Sequence, residues 1–373
     1  MNAEPNTDLP KTDLLGMDMS ALKTFFAQLG EKPFRAAQAM KWIHQFGVSD
    51  FDQMSNLSKN LRERLAQVAV IRTPRVVSEQ HSDDGTRKWL LEVDHHNSVE
   101  VVFIPEKSRG TLCISSQVGC ALECSFCATA RQGFNRNLEN WEIVAQMWVA
   151  NKALGCLPKE ERVISNVVFM GMGEPLLNVK HVFPAARILM DDNAYGLSKR
   201  RVTLSTSGVV PAIDKIKPEL DVSLAISLHA PTNDLRDELV PINQKYPLET
   251  LMPALYRYVA GGHSKKHVTI EYVMLDHVND RPHHAQALVS LLGTLPCKVN
   301  LIPFNPFDQA TYRRSSNNAV HKFQQILMDS GVNCTVRRTR GDDIDAACGQ
   351  LAGKVKDRTK RTMQTVNLEK LHG

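Results

Sequence analysis

Three cysteines crowd into eight residues, Cys120-Ala-Leu-Glu-Cys124-Ser-Phe-Cys127, in a chain of 373 residues that holds eight cysteines in all. Thiolates are soft ligands, and three in one loop point to a shared metal centre. A structural zinc ion asks for four protein ligands. The next cysteine or histidine is Cys156, beyond a helical stretch, so no fourth ligand is close in sequence. Three thiolates on a four-iron cluster leave one iron open, where a small molecule can be chelated and reduced. The spacing favours iron–sulfur without excluding zinc. Cys113 lies seven residues before this run and Cys348 far beyond it, in a loop opened by Gly341-Asp-Asp. A lone cysteine reads as a small buried hydrophobe. That is the reading for Cys156, Cys297 and Cys334, and, from spacing alone, for Cys348.

The composition suits a globular chain with a large core, 43% apolar and 23% charged. The acidic amino terminus has no apolar signal segment, and no run is long enough to span a membrane. A cytoplasmic protein with no membrane partner is expected. In that reducing setting, cysteines serve metals or catalysis before disulfide frameworks. The formal net charge is only +5, but its distribution is uneven. Lys354, Lys356, Arg358, Lys360, Arg361 and Lys370 stand against Asp357 and Glu369 in the last stretch. A basic tail suits a polyanion, although a solvated face carries the same charges.

These residues need elements to position them. Residues 1–20 read as a disordered leader and 21–75 as a small helical domain of RNA-binding type. In that domain Leu22, Phe25, Phe26 and Leu29 recur at helical spacing. Lys32, Phe34, Arg35, Lys41 and Trp42 mark its second helix. Residues 76–105 read as a strand-containing linker, with alternating runs at Arg87–Val93 and Ser98–Ile104. The adjacent His95 and His96 fall in the turn between those runs. From 106 to 343 apolar strands alternate with helices, which predicts an α/β core, a partial parallel (β/α)6 barrel. Its chemistry belongs at the carboxyl ends of the strands. Residues 344–373 carry Cys348 and the basic tail.

The Cys-x3-Cys-x-Phe-Cys run after a first barrel strand resembles the radical S-adenosylmethionine (SAM) enzymes. Five further motifs narrow the match: Gly171-Met-Gly-Glu-Pro175, Ser205-Thr-Ser-Gly208, Ser227-Leu-His229, Asn300-Leu-Ile-Pro-Phe-Asn305 and Gly341 to Leu351. Together they are similar to the RlmN-type rRNA/tRNA adenine-C2 methyltransferases, from about Leu22 to Arg361. The resemblance implies that Cys120, Cys124 and Cys127 hold one 4Fe–4S cluster per chain. It implies SAM contacts from Gly173, Glu174, Ser205, Ser227, Leu228, His229 and Asn305. Without it, Gly171–Pro175 is an ordinary strand-to-helix turn.

The resemblance also assigns a mechanism. Carbon 2 of adenine lies between two ring nitrogens and is too electron-poor to attack the methyl of SAM. Cys348 accordingly takes a methyl from one SAM as a thiolate, and a 5′-deoxyadenosyl radical from a second SAM removes a hydrogen from it. The carbon radical adds to adenine, Glu100 accepts the carbon-2 proton, and Cys113 attacks Cys348 to form a transient disulfide as the base leaves. The implied partners are 23S rRNA, tRNA and a reducing protein such as a flavodoxin, and a monomer is expected. Arg337, Arg338, Arg340, the tail and the helical module are the candidate phosphate contacts. Cfr-type relatives use the same cysteines on carbon 8. RNA methylthiotransferases carry a second cysteine-rich domain, whereas this chain has no cysteine before Cys113. A non-catalytic RNA-binding protein with a structural zinc would leave Cys113 and Cys348 without a role.

Overall fold

The computed structural model describes residues 11–107, 109–156, 162–260, 267–307 and 310–359. Its centre is one ten-stranded sheet whose spatial order follows the chain. The strands are β1 (Arg75–His81), β2 (Arg87–Asp94), β3 (Asn97–Glu106), β4 (Arg109–Cys113) and β5 (Ile164–Phe169), then β6 (Val202–Thr206), β7 (Ser223–Ser227), β8 (Val268–Met274), β9 (Cys297–Pro303) and β10 (Asn333–Val336). From β4 to β10 each neighbour runs parallel, and each parallel pair is bridged by a crossover helix. Those helices are Asn140–Ala153, Val179–Met190, Val210–Glu219, Leu248–Val259, Pro282–Leu292 and Asn317–Asp329. Six βα units and a seventh parallel strand give the expected partial barrel. The strands are rich in β-branched and aliphatic residues because both of their faces are covered. Val167, Leu204, Ile226, Ile270 and Val299 are fully buried at their centres.

Residues 76–105 are not a linker. Strands β1, β2 and β3 pair antiparallel and extend the barrel sheet past β4. The alternation that suggested strands was right, but strand pattern alone does not say which edge a hairpin joins. His95 and His96 are the exposed turn between β2 and β3. Register then places side chains. Residues directly opposite share a face, and Val102 of β3 lies opposite both Lys88 of β2 and Cys113 of β4. Glu100, two residues before Val102, projects from that same face.

The helical module comprises Met19–Gln28, Phe34–His44 and Lys59–Val68. Asp18 and Ser58 cap the first and third helices by accepting from the N–H groups of Ala21 and Leu61. Residues 11–20 are not a disordered leader. Thr12–Asp13 pairs with Ala69–Val70, and the apolar Leu14 and Leu15 are fully buried. Residues 1–10 lie outside the described residues. The module is fixed to the barrel by polar bonds across an apolar seam. Trp148 Nε1 donates to the Ile43 carbonyl at 2.9 Å, His44 Nδ1 meets the Tyr195 hydroxyl at 3.2 Å, and Gln45 donates to the Asp192 carbonyl at 2.8 Å. No helix among the described residues is long and apolar enough to cross a membrane.

That seam is testable by chemical denaturation of the cluster-free protein. Trp148→Phe should cost about 1 kcal/mol, the hydrogen bond alone, and Trp148→Ala about 3–5 kcal/mol from the added cavity. Wild-type stability in Trp148→Ala would mean that the module is not anchored there.

Candidate functional site

A cavity with about 160 Å³ of free space opens at the carboxyl ends of the parallel strands. Cys120, Cys124 and Cys127 form one wall, and Glu174, Ser205 and His229 stand on others. The cysteine loop is shaped by a short ribbon in which Gln117–Gly119 pairs with Phe134–Asn137. Gly119 has φ +77°, and a β-carbon there would lie 2.1 Å from the Gly133 carbonyl oxygen, so only glycine fits. The chain then turns with Cys120 N–H donating to that same carbonyl at 2.9 Å.

The donor chemistry fits an iron–sulfur cluster. Burial pushes the Cys124 thiol up to about 12, with Cys127 adding to the rise. Burial raises Cys120 well above the ordinary thiol range, and its two neighbours push in the same direction. Thiols so disfavoured as anions ionise only against the positive charge of what they bind. Among the described residues, no three such side chains close around one point as a single ion requires. An open-faced site on three thiols suits a cluster, which spans more space.

Glu174 is buried at the far wall. Gly173 precedes it with φ +95°, where a β-carbon would lie 2.4 Å from Gln117. The Glu174 carboxylate accepts from the N–H groups of Ser207 (2.8 Å) and Leu176 (3.0 Å). Burial nevertheless pushes its pKa up to about 7, so a cation entering the cavity gains a strong partner. His229 is held at φ +62°. Burial and the Arg236 charge push its pKa down to about 3, and its Nδ1 accepts from Val273 N–H at 3.0 Å. The neutral ring therefore carries its proton on Nε2. Ser227 also lines this cavity, but Leu228 does not, and its side chain is fully buried in the core.

A second cavity, about 340 Å³, adjoins the first and is lined by Cys113, Asn305, Arg338, Thr339 and Arg340. Asn305 is therefore placed beside the second cavity and not the first. Cys348 and Arg337 line both. Burial pushes the Cys113 thiol up to about 12, a nearby Cys348 charge raises it further, and Arg337 opposes. Cys348 itself is exposed, and Asn305 Nδ2 donates to its carbonyl at 3.3 Å.

Glu100 lines neither cavity. Its carboxylate lies 3.2 Å from Lys88 Nζ and accepts from Ala352 N–H at 2.7 Å, four residues past Cys348. Of the candidate phosphate contacts, Arg338, Lys354, Lys356 and Arg358 are exposed. Arg340 lies 3.6 Å from Asp84. Lys360 and Arg361 are outside the described residues. Two residues escaped sequence reasoning. Glu271 lines the first cavity, with Oε2 lacking a hydrogen bond and 3.8 Å from Arg337. A glutamate amid the apolar run Val268–Met274 was its only signal. Arg236, fully buried, donates to the carbonyls of Ser207 (2.6 Å) and Leu228 (3.1 Å), tying two strand ends together.

Residues 12–71 match the family described as ribosomal RNA large subunit methyltransferase N-terminal domain, and residues 114–288 match the radical SAM superfamily. A curated relative from Marinobacter nauticus, dual-specificity RNA methyltransferase RlmN, is 56% identical over 97% of this chain and 98% of its own. The crystal structure of a radical SAM methyltransferase from Sphaerobacter thermophilus superposes with a TM-score of 0.85 at 42% identity. That match covers 91% of this chain and 99% of the other.

Proposed function

The chain belongs to the RlmN family of radical SAM RNA methyltransferases, and from that membership we propose that it methylates carbon 2 of adenosine in 23S rRNA and tRNA through Cys348. The observation that carries this reading is the position of Cys348 in the wall between two cavities. One cavity holds the residues suited to the cluster and SAM. The other is a chamber of a size and polarity for a flipped base, with arginines at hand for phosphate.

Cys120, Cys124 and Cys127 would hold the cluster, which when bound would supply the electron for reductive cleavage of SAM to a hydrogen-abstracting radical. Glu174 receives the SAM ammonium, and Ser205, Ser227 and His229 Nε2–H complete the polar lining. Arg337, braced by Glu271, stabilises the thiolate of Cys348 when it takes the methyl. After the carbon is joined to adenine, Cys113 attacks the Cys348 sulfur and the base leaves. Arg337 lines both cavities and opposes the rise that burial imposes on the Cys113 thiol. Glu100 takes the carbon-2 proton, which requires the Cys348 loop to shift from Ala352. One cluster per chain and two SAM molecules per turnover follow from this division of labour. The electron comes from a reducing protein of flavodoxin type, and a monomeric enzyme of the reducing cytoplasm, where cysteines serve metals and catalysis, fits this reading. Phosphate contacts fall to Arg338, Arg340 and the tail, with the exposed Lys32 and Lys41 of the helical module.

Glu174→Gln should keep its iron and weaken SAM binding about 10- to 100-fold, the worth of a charge-assisted hydrogen bond. Equilibrium dialysis on cluster-loaded protein measures this, and unchanged affinity would remove Glu174 from the SAM site. Cys113→Ala made in cells should carry covalently attached RNA that survives denaturation. A nuclease digest should leave one adenosine on the Cys348 peptide, and Cys348→Ala and the double variant should carry none. A Cys113→Ala protein free of RNA, with its cluster intact, would make Cys113 a packing residue.

A further inference from the structure

Lys88 is a lysine where an aliphatic side chain would pack. It is 7% exposed on β2, on the sheet face that also presents Glu100, Val102 and Cys113. Burying an ammonium is costly unless it is paired and hydrogen-bonded. Lys88 Nζ meets both demands, lying 3.2 Å from Glu100 Oε1 and donating to the Asp345 carbonyl at 3.3 Å. The other oxygen of Glu100 accepts from Ala352 N–H. The ion pair thus holds the chain three residues before Cys348 and four residues after it. Between those points Cys348 sits in a segment with no helix or strand.

Other bonds also hold this span: from the cysteine loop, Ala128 N–H and the Thr129 hydroxyl donate to the Gly349 and Leu351 carbonyls. Before it, Ser82 and Asp84 hold the turn at 341–343 through Asp343 and Gly341. After it, Ser98 N–H donates to the Lys354 carbonyl at 2.8 Å. Within it, Asn305 and Gln350 hold the loop to the β9 end, at the Cys348 and Pro306 carbonyls. The hydrogen bonds that tie this span to the sheet face bearing Cys113 are those of Lys88 and Glu100, beside the buried Ala346 and Leu351. Residue placement to within about 1 Å is worth roughly 100-fold in rate when two groups must meet.

We propose that Lys88, through its buried pair with Glu100, is a positioning residue that holds Cys348 against Cys113 for the thiol–disulfide step. The inference rests on the reading that these two cysteines join. In that step the Cys113 thiolate forms a bond to the Cys348 sulfur, and the electron pair of the broken sulfur–carbon bond stays on the departing carbon, which takes a proton to become the methyl of the base. The same geometry is readable without RNA, because a chemical oxidant removes the two electrons and two protons that join the thiols.

The experiment treats anaerobic, cluster-loaded protein with diamide and follows the linked Cys113–Cys348 peptide by mass spectrometry. Lys88→Met should form it about tenfold more slowly than wild type, with unchanged iron content and SAM cleavage. Lys88→Arg, which keeps a charged donor, should restore most of the rate. Wild-type linkage rates in Lys88→Met would overturn the proposal. Loss of iron together with the link, in Lys88→Met and Lys88→Arg alike, would also overturn it, since the pair would then serve the fold. No link in wild type itself would refute the joining of the two thiols, and the role of Lys88 with it.

Discussion

Residues 345–358 cross the mouth of the barrel without a helix or strand, and the site depends on how that segment is held. It is pinned on two sides by groups that belong to other elements. Along the cluster loop, Ala128 N–H donates to the Gly349 carbonyl, Thr129 to Leu351, Gln132 to Gly353 and Asn135 to Lys356. Along β2 and β3, Lys88, Asn97, Ser98 and Glu100 do the same work. The cysteine loop and the segment that carries Cys348 are therefore one bonded unit. A change in either is felt by the other.

This arrangement explains why the barrel is extended by β1, β2 and β3. A parallel barrel alone offers strand ends. The added hairpins supply a wall with side chains in register beside β4, and Cys113 is read from that wall as well as from the barrel. The cost falls on buried charge. Lys88, Glu100, Glu174, Arg236 and Glu271 are all buried. Each has a polar partner, and where one oxygen lacks it, at Glu271, the neighbour is Arg337 and the place is a cavity wall. Buried polar groups of this kind are concentrated where function sets the arrangement.

Much of this was legible in the chain. The cysteine spacing marked the loop that walls the first cavity, and strand–helix alternation gave the barrel, because both signals are local. Three things were not legible. The antiparallel hairpins read as a linker, since alternation reveals a strand but not its neighbour. Leu14 and Leu15 sat in a polar stretch that looked like a leader, and burial came only from the Thr12–Asp13 pairing with Ala69–Val70. Without the resemblance, Glu100 is one more glutamate in an alternating strand run. Its engagement with Lys88 and Ala352 joins segments far apart in sequence, and no periodicity carries that information.

The central claim is that one sulfur, that of Cys348, carries the carbon from one cavity to the other. The most direct measurement loads the reconstituted protein with methyl-deuterated SAM without RNA, exchanges in unlabelled SAM, and then adds RNA for one turnover. Mass spectrometry should find the label first on the Cys348 peptide and then on carbon 2 of adenosine. The new methyl should retain two of its three deuteriums, because one is lost to the radical before transfer. An RNA methyl that retains all three, or that carries the unlabelled group while Cys348 keeps its deuterium, would contradict the account.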